Sequence, residues 1–79
     1  MSLTLTAAKK RILRAIVAEP VHGYALAKEL GVRGSTIYEH LDQLEEHGYI
    51  RGEADGRRTV YSPTRKGELI VEAERQKDY

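Results

Sequence analysis

Cysteine is absent from the 79 residues, so neither a disulfide framework nor a thiolate metal site can form, which suits a reducing compartment. Long apolar runs are missing as well, and nowhere does the chain approach the roughly 18 to 20 apolar residues that a membrane span needs. A soluble, cytoplasmic protein without a membrane partner is the expectation. Neither sign of charge dominates: 13 Lys+Arg against 12 Asp+Glu leave +1. So small a net charge does not argue for a polyanionic partner, and any such argument must come from how charge is distributed. The chain also lacks a phosphate loop, a nucleophile elbow, a paired acid and base, and a metal motif. Ser35 and the histidines form no catalytic constellation, so no enzyme activity and no cofactor are expected. At this length there is room for one small domain with a single core.

What is there is unevenly placed. Lys9, Lys10, Arg11 and Arg14 cluster near the start, while Arg57, Arg58, Arg65 and Lys66 lie in a stretch free of acids. Acids collect at Glu39, Asp42, Glu45 and Glu46, and again in the last dozen residues. The run from Lys9 to Arg14 has the ordinary reading of a solvated helix face.

Apolar spacing divides the chain into elements. Leu5, Ala8, Ile12, Ala15 and Ile16 predict a helix over about 5–18, capped by Thr4 or Thr6 and ended by Glu19-Pro20. A second helix covers about 23–30, burying Ala25, Leu26 and Leu30, with Gly31 as a left-handed cap. After Gly31-Val32-Arg33-Gly34, either Ser35 or Thr36 caps a third over about 35–47, and Thr36 with Glu39 fits a capping box. Ile37, Leu41 and Leu44 form its buried stripe, and Gly48 ends it. Tyr49-Ile50-Arg51 and Thr59-Val60-Tyr61 alternate as two strands around an Asp55-Gly56 turn. Thr64 then caps a closing helix over about 65–77, whose apolar side is Leu69, Ile70 and Ala73.

The fold class is therefore mainly α with a small β-hairpin, in the order helix, helix, helix, strand, strand, helix. A hairpin is not stable alone and must lean on the helices, which makes the arrangement a winged helix-turn-helix. Two short helices joined by a glycine-containing turn are the unit that sets its second helix in a DNA major groove. The candidate DNA-binding residues follow from that geometry. Ser35 and Thr36 sit where a helix N-terminus attracts phosphate. Glu39 suits cytosine N4 and Gln43 suits adenine, while Tyr38 either faces DNA or packs beside Arg33 or the wing. Tyr24 either touches a phosphate or covers the core. Arg57 and Arg58, next to the hairpin turn, point toward phosphates or the minor groove. Tyr49 and Tyr61 read as packing residues of the hairpin. His22, His40 and His47 lack the companions of a metal site, and no metal is expected.

The residues also resemble a family. His22-Gly23-Tyr24, Ser35-Thr36-Ile37-Tyr38, the Leu41 and Leu44-Glu45 stripe ending in Gly48-Tyr49-Ile50, and Gly56-Arg57-Arg58 leading to Tyr61-Ser62-Pro63-Thr64 and Gly67 are similar, in combination and order, to PadR-like transcriptional regulators. The resemblance covers about residues 10–70. It implies a homodimeric, repressor-like protein that binds double-stranded DNA, with residues 1–64 as the DNA-binding domain and 65–79 as a helix available for dimerisation. The rival reading is a winged helix that binds another protein, favoured by the near-neutral charge and the acids from Glu39 to Glu46.

Overall fold

The computed structural model describes residues 5–76. Thr6 opens α1 (Ala7–Ala18) by accepting a hydrogen bond from the Lys9 N–H at 3.3 Å. Thr4, the other candidate cap, lies outside the described residues, as does residue 77. Pro20 forces the residue before it out of the helical region, and Glu19 is extended at φ −162°, ψ 128°. The chain then runs through β1 (Val21–His22), α2 (Gly23–Leu30), α3 (Gly34–Glu46), β2 (Ile50–Asp55), β3 (Arg58–Pro63) and α4 (Arg65–Gln76).

The sheet is one strand wider than the sequence reading, because β1 joins the hairpin to give an antiparallel order β1-β3-β2. Val21 pairs with Tyr61 and His22 with Val60. Two residues carry no alternation signal; what makes them a strand is their pairing with the edge of β3 that β2 leaves free.

Two helices end alike. Gly31 and Gly48 have φ of 69° and 79°, and after each the chain folds back through a pair of bonds. Val32 N–H reaches the Ala27 carbonyl at 3.0 Å and Gly31 N–H that of Lys28; Tyr49 N–H reaches Leu44 at 2.9 Å and Gly48 N–H that of Glu45. These are Schellman closures, which satisfy the last carbonyls of a helix through a left-handed residue. The start of α3 differs from expectation. Arg33 is its N-cap and makes no side-chain capping bond, so Ser35 and Thr36 lie inside the first turn and the Thr36–Glu39 capping box does not form.

One core serves every element: Ile12, Leu13 and Ile16 from α1, Leu26 and Ala27 from α2, Ile37, Leu41 and Leu44 from α3, then Tyr49, Ile50, Tyr61 and Val71. The α3 stripe is buried as read. Elsewhere the phase shifts: Ala8 and Ala25 are exposed, Leu5 and Leu30 are half-buried, and Leu13 and Ala27 fill the interior instead. On α4, Leu69 is 48% exposed and Ala73 is outside, Ile70 is half-buried, and Val71 is the buried residue. That phase is set by Gly67, which is buried where a side chain would collide with the Tyr49 carbonyl. Four residues on, Val71 enters the core from the same face.

Around Gly67 the chain is bolted to the end of α3. Thr64 N–H donates to the Tyr49 carbonyl at 3.0 Å, and the Thr64 hydroxyl donates to the Gly48 carbonyl while accepting from Gly67 N–H. Thr64 is thus the cap of α4, as read. Lys66 Nζ donates to the His47 carbonyl at 2.9 Å and lies 4.6 Å from the Tyr49 ring centre. At its other end α4 is tied to α1 by Lys10 and Glu74, 3.3 Å apart.

Candidate nucleic-acid interface

The 100° step of a helix gives α3 three faces. Ile37, Leu41 and Leu44 face the core. Tyr38 and Glu45 lie on the flank nearest the sheet, beside Tyr61. The Glu45 carboxylate accepts from Gly52 N–H at 3.1 Å, which satisfies part of the open edge of β2. Burial above all, then the carboxylates of Glu45 and Asp42 and the Tyr38 phenol, raise the pKa of the Tyr61 hydroxyl above the usual tyrosine value. The remaining face carries Ser35, Thr36, Glu39 and Glu46, all exposed, with Gln43 half-buried beside them.

The acidic side of α3 is therefore divided. Glu45 holds the sheet, while Asp42 is exposed about 20° of helix rotation from Ser35, on the outward side. Glu39, Asp42 and Glu46 remain exposed on that side.

Tyr38 is 40% exposed and its ring lies over Gly23. A Cβ at Gly23 would come within 2.7 Å of the ring, so the first residue of α2 has to be glycine for the ring to lie there. Tyr24, the next residue, is 67% exposed. Both tyrosines thus flank the start of α2 on the outside of the molecule.

The hairpin turn consists of Gly56 and Arg57, because Asp55 and Arg58 still pair as the last rung. Gly56 has φ 65° and Arg57 has no positive φ, the pattern of a type II′ turn, whose twist matches that of the strands. The turn is one residue further on than read, which puts Arg57 at the tip and Arg58 at the first position of β3. Both are exposed, and among the described residues neither is in an ion pair. Arg51 does pair, with Glu53 at 3.4 Å.

Three contributors were not legible beforehand. Arg33, exposed at the entry to α3, stands next to the free N–H groups of the first turn, a position that attracts phosphate. It escaped notice because its location depends on where the helix starts. Gly23 carries Tyr38. His22 leaves α2 without a side-chain cap and turns its Nε2 to the Asp55 carboxylate at 3.2 Å. The other histidines sit apart from it: His47 Nδ1 donates to the Gln43 carbonyl at 2.9 Å, and His40 is half-buried on α3. Among the described residues no helix is long and apolar enough to cross a membrane.

Solved structures with this arrangement are numerous. A MarR structure superposes with a TM-score of 0.86 at 36% identity, over 91% of this chain and 52% of that one. FabT from Streptococcus pneumoniae, in complex with DNA, gives 0.85 at 27%, over 90% and 52%. Staphylococcus aureus MepR, also in complex with DNA, gives 0.85 at 24%, over 91% and 63%. The chain thus spans between 52 and 63% of the length of these three. No curated protein matches it. A family model does match, over residues 12–73, which run from the first apolar core residue of α1 through α3 and the hairpin into α4; the chain belongs to the transcriptional regulator PadR-like family.

Proposed function

We propose that this chain is a sequence-specific, repressor-like regulator that binds double-stranded DNA as a homodimer, with α3 in the major groove and the hairpin against the backbone or minor groove. The observation that carries the reading is the convergence of an exposed, hydroxyl-bearing first turn of α3 and an arginine-tipped hairpin on the start of α2. Tyr38 of α3 rests on Gly23, and the end of β2 is held by His22. FabT, solved with DNA and 27% identical, supports the same class of partner.

In this docking Ser35, Thr36, Arg33 and Tyr24 engage phosphates, and Tyr38, Glu39 and Gln43 lie nearest the base edges. Arg57 and Arg58 reach the flanking backbone. None of these roles involves catalysis, and the family is one of regulators. Action on duplex DNA goes with a cytoplasmic location, and α4, with Leu69 outward, is the element available for pairing two copies. A second reading, a winged helix that binds protein, draws on Glu39 and Glu46 and the net charge of +1.

Binding to random-sequence duplex at two salt concentrations separates the two. The wild type is expected to bind at low salt and weaken as salt rises, while Arg57→Ala/Arg58→Ala flattens log K against log salt by about 0.9 for each phosphate no longer neutralised. No binding at low salt, or binding indifferent to both salt and the double substitution, overturns DNA as the partner. Light scattering across concentration tests the pair of half-sites: a strict monomer removes it.

A further inference from the structure

Two interactions meet at consecutive residues on α2's threshold. His22 is the last residue of β1 and its side chain is 3.2 Å from Asp55, the last residue of β2 before the wing turn. Gly23 is the first residue of α2 and lies under the ring of Tyr38, in the second turn of α3. One peptide unit therefore touches both parts of the proposed interface. The main chain strengthens the join, since His22 also pairs with Val60 of β3.

We propose that the His22-Gly23 dipeptide sets the spacing between the reading helix and the wing, His22 as a positioning residue for Arg57 and Arg58, and Gly23 as the seat that fixes the Tyr38 ring. The inference rests on the DNA-binding reading above and adds to it two residues that do not touch DNA themselves. The physical reasons differ at the two positions. At Gly23 the reason is steric: a methyl group at 2.7 Å from a ring carbon has no room, and the ring, being 40% exposed, is what yields. At His22 the reason is geometric. A two-stranded ribbon pivots about its base, and Asp55 lies one residue from the turn, so a tie there restrains the tip. An exposed side-chain contact of this kind adds little to fold stability, which leaves binding as the property that responds. His22 and Asp55 side chains are 30% and 67% exposed, so removing the tie opens no cavity.

The test is duplex binding by the full chain with single and combined substitutions, with helical content and thermal midpoint recorded for each protein. The probe is the duplex recovered from a random pool by the wild type. His22→Ala is expected to weaken binding about two- to fivefold, the scale of one exposed pair, and to flatten the salt dependence. His22→Gln, which keeps a donor for Asp55, is expected to restore most of the loss. In an Arg57→Ala/Arg58→Ala background, His22→Ala is expected to do nothing more, because the side chains it positions are gone. Gly23→Ala is expected to weaken binding in the wild type and to add nothing in a Tyr38→Ala background.

Additive losses, in which His22→Ala or Gly23→Ala costs as much in those backgrounds as in the wild type, overturn the positioning role. So does a His22→Ala protein that binds as well as the wild type. If the wild type itself selects no duplex from the pool, the DNA-binding reading falls first, and that outcome is distinct because it needs no variant.

Discussion

Tyr61 shows how much one side chain can be asked to do. Its ring is buried between the sheet and α3, beside Glu45 and Asp42, and its hydroxyl is kept neutral by burial and by those carboxylates. The folded pKa therefore lies above the roughly 10 of an unfolded tyrosine, and the neutral phenol is the folded form. A group shifted in this direction contributes fully at pH values below the unfolded pKa and loses that contribution as pH climbs through the raised folded value. The thermal midpoint should fall from about pH 10 upward, and Tyr61→Phe should flatten that alkaline limb while leaving pH 7 to 9 nearly unchanged. A melt series from pH 7 to 12 measures it; equal alkaline slopes in the two proteins would show that Tyr61 is not the group responsible. Alternation in Thr59-Val60-Tyr61 was enough to read Tyr61 as a packing residue. The place of Tyr38 was not readable in the same way, because it depends on a glycine fifteen residues away in sequence that offers a flat surface rather than a partner.

At the level of elements, glycines with different surroundings make opposite predictions. Gly67 sits inside α4, where alanine would ordinarily gain about 1 kcal/mol in helix propensity. Here a methyl group meets the Tyr49 carbonyl, which is itself held by the Thr64 N–H. Backbone so restrained does not move aside, and overpacking of this kind costs about 1–3 kcal/mol. Gly67→Ala should therefore lower stability, whereas Gly34→Ala, at the first residue of α3 with open space around it, should be neutral or gain up to about 1 kcal/mol. Urea midpoints of the two proteins check this pair, and a Gly67→Ala protein as stable as the wild type would mean that α4 can withdraw from Tyr49 at no cost. The same close approach explains what the pattern reading missed. The existence and order of four helices and the hairpin follow from spacing, capping hydroxyls and glycine stops, all local signals. The phase of α4 does not, since Leu69, Ile70 and Ala73 form an apolar line that is equally good on paper. Docking of Gly67 against the Tyr49 carbonyl, in the turn between α3 and β2, turns Val71 inward instead. β1 was hidden for a related reason: two residues become a strand through a neighbour found forty positions on.

For the whole molecule the deciding quantity is where its charges lie, since the net value of +1 gives no general attraction to DNA. Of the acids that crowd α3, Glu45 is engaged with Gly52 N–H, which leaves Glu39, Asp42 and Glu46 exposed on the outward side. Glu39 and Glu46 are two turns apart on that face, with Glu39 nearer the N-terminal end that enters the groove in this docking. Their effects should therefore separate. Glu46→Gln removes a negative charge near phosphates without touching a base. It should tighten binding to every duplex by a similar factor at low salt, and the gain should shrink as added salt shortens the screening length from about 10 Å toward about 3 Å. Glu39→Gln removes the same charge at a position that can accept from cytosine; it should tighten non-specific binding equally but change which duplexes a random pool yields. Binding curves at two salt concentrations, together with the selected sequences, read both effects. If Glu46→Gln binds no more tightly at low salt, the outward face of α3 is not the face turned to DNA; if Glu39→Gln selects the same sequences as the wild type, Glu39 is not a base-reading residue.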